Sequence, residues 1–131
     1  RNVPLGFASE QQFLTAAEEL RSALNASGVD DAIVGVRGSS VTGVSGNPRS
    51  PRFGQPFGAD SDIDFFVQSQ TVTDSFKRQH NFVYPRQLNR AYPELDAWSQ
   101  RWTELLGRDV TPGAWKPGAL PRTPAILVRE Q

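Results

Sequence analysis

The chain has 131 residues, with 14 basic and 14 acidic side chains, one histidine and no cysteine. That length suits one domain, 1–131, able to bury about two-thirds of its unfolded surface. Zero formal charge excludes a global field for nucleic acid or anionic membrane, and the lack of cysteine excludes disulfides, thiolate zinc sites and thiol nucleophiles. No apolar run approaches the length of about 18 residues that a membrane span needs. No signal peptide is visible, and a start at Arg1 rather than Met is what a processed piece of a longer protein presents.

Ser9-Glu10-Gln11-Gln12 reads as a capping box, and Phe13, Ala16, Ala17, Leu20, Ala23 and Leu24 recur at helical spacing, so a helix is predicted over 10–25 with Gly28 as its stop. Ala32–Val36 reads as a buried strand, followed by a helical turn from Ser39 to Val44. Residues 45–61 are rich in Gly and Pro and carry no period, as a functional loop or a passive insertion would. Arg49 and Arg52 within it are candidates to reach a triphosphate. A second strand is predicted over Ile63–Val67. From Ser75 to Pro93 there is no acid, while Lys77, Arg78, Arg86 and Arg90 alternate with His80, Phe82, Tyr84 and Tyr92. Charge for a backbone and rings for bases is what single-stranded nucleic acid needs, although a solvated face with Phe82 and Tyr84 inside has the same composition. Pro93 opens a helix over Glu94–Leu106 with Leu95, Trp98, Trp102 and Leu105 as its apolar stripe and Gly107 as its end. The passage Asp109–Thr123 reads as a Pro/Gly-rich tail, and Ala125–Val128 as a last strand.

The chemistry concentrates between Val36 and Val67. Alternation on the second strand puts Asp62 and Asp64 on one face, where two carboxylates repel each other unless a cation lies between them. An oxygen clamp for a divalent metal is the economical reading. Upstream, Gly38-Ser39-Ser40 leaves the first strand with N–H groups suited to phosphate oxygens. Metal and phosphate cradle together point to phosphoryl or nucleotidyl chemistry. A calcium loop starting at Asp60 is excluded, because its sixth position is Phe65 and its twelfth is Thr71. There is no Walker loop and no Gly-x-Ser-x-Gly elbow. His80 stands alone and is better read as a surface or satisfied histidine than as a general base.

Gly38-Ser39 followed by Asp62-Ile63-Asp64 resembles the signature of the polymerase-β-like nucleotidyltransferase superfamily. The longer string R-G-S-S-V-T-G…S-D-I-D-F resembles C-terminal toxin domains of bacterial polymorphic-toxin and contact-dependent inhibition proteins. The likeness covers Ser9 to Ser69; the spacer from Ser40 to Ser61 is longer than the family's, and no third acid is obvious. The resemblance implies an α/β (α+β) domain, a small mixed sheet with helices packed on one face. It implies Mg²⁺-dependent transfer of a nucleoside monophosphate from a nucleoside triphosphate to an acceptor hydroxyl, with one or two metal ions. Asp62 and Asp64 would be the catalytic metal ligands, and Gly38, Ser39 and Ser40 the nucleotide-binding residues. Asp109 or Glu130 would supply a third carboxylate. RNA, tRNA among it, is the expected acceptor, with modification of a protein hydroxyl or an inactive binding domain as the alternatives. The toxin likeness further implies delivery as part of a larger secreted protein, action in the target-cell cytoplasm, and a cognate immunity protein.

Overall fold

A computed structural model of the chain describes residues 3–76 and 81–129. Lys77, Arg78, His80 and Glu130 therefore lie outside the described residues. The first helix, α1 (Glu10–Ala26), begins where the sequence places its cap: the Ser9 hydroxyl accepts the Gln12 N–H at 3.1 Å. The Gln12 side chain reaches back past the cap to accept the Ala8 N–H at 2.7 Å, which ties the entering chain to the first turn. Strands β1 (Ile33–Arg37) and β2 (Ile63–Gln68) pair antiparallel, with the short helix α2 (Ser39–Thr42) and the long passage between them. After α3 (Gln70–Asp74) come β3 (Phe82–Val83), α4 (Pro85–Ala91), α5 (Pro93–Leu106), β4 (Val110–Trp115) and β5 (Ala125–Val128).

These strands form one mixed sheet in the order β3-β4-β2-β1-β5. The β2–β4 pair is parallel and the other pairs are antiparallel. The fold is α+β. Val34, Val36, Phe65, Val67, Val110 and Ala114 project from one sheet face into the core, where they meet Phe13, Leu20 and Leu24 of α1 and Leu95, Trp98 and Trp102 of α5. Both tryptophans are core residues with their indole N–H groups satisfied, Trp98 by the Ala16 carbonyl at 2.9 Å and Trp102 by Glu19 at 3.0 Å. Leu105, placed on that apolar stripe by its spacing, is instead 54% exposed, because it sits in the last turn beside the Gly107 cap.

The stretch expected to be a loop after Asp109 is β4, between β2 and β3 in the sheet. Pro112 and Gly113 hide it from pattern reading, since both are poor strand residues. Gly113 is there for space: a Cβ would lie 2.7 Å from the Phe82 ring. Gly35 does the same for Phe66, whose ring would approach an added Cβ to 2.4 Å, with the Ile126 carbonyl at 2.7 Å. Phe66 is thereby buried on the face opposite the helices. Residues 116–124 then carry the chain past β2 and β1 to the far edge strand β5. We expect Gly35→Ala to destabilise the protein by about 1–3 kcal/mol through overpacking. The measurement is the urea midpoint at unchanged slope, and a midpoint equal to wild type would mean that Phe66 has room to move.

Candidate active site

The two halves of the sequence motif meet at one end of the sheet. The β1–β2 register sets Arg37 opposite Asp64. The next residue, Gly38, turns the chain off the strand at φ +88° and ψ −159°, a region open in practice only to glycine. A Cβ on Gly38 would lie 3.0 Å from Asp64 Oδ2, so the missing side chain is what lets the backbone approach the carboxylate. Ser39 then opens α2 and lines the same cleft as Asp62 and Asp64.

Ser40 has a different place from the phosphate-binding one its position in the motif suggests. It is fully buried, its hydroxyl donates to the Leu5 carbonyl at 2.6 Å, and its own carbonyl accepts the Leu5 N–H at 2.7 Å. Its work is to fasten the N-terminal segment under the cleft.

The 45–61 passage folds back on itself. Val44 and Pro56 form a bridge, Ser45 exchanges backbone hydrogen bonds with Gln55 and Gly54, and the Phe57 N–H donates to the Gly43 carbonyl. One wall of the cleft results. Arg52 lines it, with Nη2 facing the Pro56 carbonyl and the Ser61 hydroxyl, whereas Arg49 is exposed outside it. Arg108, from the turn before β4, donates to the carbonyls of Gly58 and Ser61 at 2.8 and 3.0 Å and stacks over Phe57. The approach to Asp62 is thus tied down on both sides.

The cleft has two chambers that share Ser39, Ser45, Asn47 and Asp64. One, of about 200 Å³, is completed by Asp60, Asp62 and Arg52. The other, of about 430 Å³, is completed by Arg37, Gly38, Thr42 and Thr123. Asp60, Asn47 and Thr123 had no signal in the sequence, since no spacing rule links a turn residue to a strand across a fold.

The electrostatics bear on what the cleft can hold. Solvent reaches Asp64 from the cleft, but surrounding protein and then the Asp62 charge push its carboxyl from 3.8 up to about 6, offset in part by Arg37. Asp62 is raised too, first by burial and then by Asp109, against the pull of Arg108 and Arg52. Both acids are thus held in a form that a cation would relieve. Asp109 lies just before β4, next to Asp62, its carbonyl accepting the Ile63 N–H at 2.9 Å. It is exposed, however, and the β4 residue in register with Asp64 is Thr111. No cluster of three metal-ligating side chains occurs among the described residues. A paired carboxylate site still fits Mg²⁺, which usually keeps several waters and takes one or two carboxylates plus substrate phosphates.

The sign of the Asp64 shift has a consequence for stability. Between its ordinary value of 3.8 and about 6, the folded protein holds a proton that the unfolded chain has released. Without metal, stability should therefore fall as pH rises through this window. The change is about 1 kcal/mol once solvent screening at an exposed carboxylate is allowed for. Urea melts from pH 4 to 7.5 should show this decline in wild type and a flatter curve in Asp64→Asn. Parallel curves would assign the titration to other groups.

Among the described residues, no helix is long and apolar enough to cross a membrane. Compared with protein-family models, with curated proteins and with solved structures, the chain finds no match.

Proposed function

We propose that this chain is a Mg²⁺-dependent nucleotidyltransferase that moves a nucleoside monophosphate from a nucleoside triphosphate to an acceptor hydroxyl. The observation that carries the reading is the approach of Gly38 to Asp64: a side-chain-free backbone turn, with Ser39 beside it, faces two same-face carboxylates across a polar cleft. Phosphate oxygens need the first and a divalent cation the second, and a triphosphate–metal complex presents both.

In this reading Asp62 and Asp64 would hold Mg²⁺, which would supply positive charge against the negative charge that builds as the acceptor oxygen, its proton lost to solvent, bonds to the α-phosphorus and pyrophosphate leaves. Gly38 keeps the cleft floor clear for phosphate. The Ser39 hydroxyl orients it by hydrogen bonding. Arg108 and Arg52 fix the turn before β2, and so hold Asp62 at its place in the cleft. The third carboxylate, if the reaction uses one, is Asp109 by position, the neighbour whose charge Asp62 already feels.

RNA is the proposed acceptor. Arg86 and Arg90 are exposed on α4 within an acid-free stretch, beside Tyr84, which is 65% exposed. Such a surface suits a phosphate backbone with unstacked bases. The proposal extends to a toxin domain delivered as part of a larger protein and restrained at home by an immunity protein; that part rests on the sequence resemblance. Incubation with α-³²P-labelled ribonucleoside triphosphates, Mg²⁺, total RNA and total protein tests it. Label in RNA supports the reading, label in protein moves the acceptor to a protein hydroxyl, and no label in either removes the transferase activity.

A further inference from the structure

We propose that the larger chamber of the cleft seats the terminal phosphates of the nucleoside triphosphate, with Arg37 as the residue that positions them. This rests on the nucleotidyltransferase reading and adds the direction in which the donor lies. The two chambers differ in charge. The smaller sets Asp60, Asp62 and Asp64 against Arg52, whose guanidinium already faces Pro56 and Ser61. The larger sets Asp64 alone against Arg37. A polyphosphate is repelled by a wall of carboxylates and attracted where a guanidinium outlies a single one. The anionic tail therefore belongs on the Arg37 side.

Arg37 is held as an anion-binding group would be. Its guanidinium carbon lies 5.7 Å from the centre of the Trp115 ring, and Nη2 donates to the Thr123 hydroxyl at 2.9 Å. Trp115 comes from the end of β4 and Thr123 from the passage that leads to β5, so two separate elements fix its direction. Its Nε is buried and has no hydrogen-bond partner. Asp64 is its neighbour across the ladder, yet no ion pair joins the two among the described residues. A guanidinium presents its donors as a planar fork, and a phosphate supplies two oxygens at matching spacing.

Calorimetric titration with Mg²⁺ and non-hydrolysable ribonucleoside triphosphate analogues tests this, using the analogue that wild type binds best and the matching monophosphate. Arg37→Gln should weaken the triphosphate about tenfold or more and leave the monophosphate within about twofold. Thr123→Val, at an exposed position, should weaken the triphosphate about threefold by loosening the guanidinium. Triphosphate affinity within about twofold of wild type in Arg37→Gln overturns the inference while the transferase reading stands. Equal losses for both nucleotides overturn it too, since Arg37 would then shape the cleft instead of reading the tail. If Arg37→Gln keeps triphosphate affinity but loses RNA in filter binding, the residue holds an acceptor phosphate and the inference is wrong. Should Arg37→Gln not fold, an unchanged affinity in Thr123→Val overturns it by itself. A wild type that binds none of the analogues removes the transferase reading and this inference together.

Discussion

Asp64→Asn and Asp62→Asn are each expected to lower the labelling rate by about 1,000-fold, which corresponds to ~4 kcal/mol of lost transition-state stabilisation. The fold should survive both changes. Each carboxyl is raised by burial and by a neighbouring acid, so its charge is a burden to the metal-free protein at neutral pH. An amide of the same shape removes that burden. Melting of the metal-free variants near pH 7 should therefore match or slightly exceed wild type, with Asp64→Asn gaining more. Wild type should gain stability when Mg²⁺ and a triphosphate analogue are added together, and the variants should not. Loss of activity accompanied by a large drop in melting temperature would make the pair a structural feature of the β2 entrance, and the metal reading would fall.

Much of this site was legible because its signals are local. Alternation alone put Asp62 and Asp64 on one face, and the structure pairs β2 with the strand that ends at Arg37, just before Gly38. Ser9, Pro93 and Gly107 marked helix ends through chemistry confined to a single turn. What could not be read depends on distant parts of the chain. β4 contains Pro112 and Gly113, and it is a strand because Phe82 needs the room above Gly113 and because β2 and β3 offer it partners. α4 begins at Pro85 and buries Leu88, inside a stretch whose basic and aromatic residues draw attention away from that helix start. Ser40 looked equivalent to Ser39 in sequence, but successive residues of a helical turn point in different directions, and only one of them faces the cleft. Arg37 gained meaning only when Thr123, 86 positions away, proved to be its partner.

Gly38→Ala should be nearly as damaging to activity as loss of an aspartate, and a second glycine provides the control. At φ +88° and ψ −159° an alanine is strained by about 1–3 kcal/mol, and its Cβ stands 3.0 Å from Asp64 Oδ2. Either the turn relaxes and carries Ser39 away from the cleft, or the carboxylate moves and the pair with Asp62 opens. A displacement of about 1 Å at such a site can cost about 100-fold in rate. Gly43 closes the same short helix at φ +85° and ψ −4°, the left-handed region, and nothing lies within 4 Å of where its Cβ would be. Gly43→Ala should therefore lose about 1 kcal/mol of stability and keep most of its activity. The pair separates two explanations that a single variant would confuse. If both alanines lower activity in proportion to their loss of stability, the effect is a weakened turn. If Gly38→Ala alone loses activity, with stability close to that of Gly43→Ala, the reason is the space above Asp64. Supplying Mg²⁺ in excess should not rescue Gly38→Ala, because the obstruction is to phosphate; rescue by Mg²⁺ would instead mean that the displaced Asp64 had only weakened the metal.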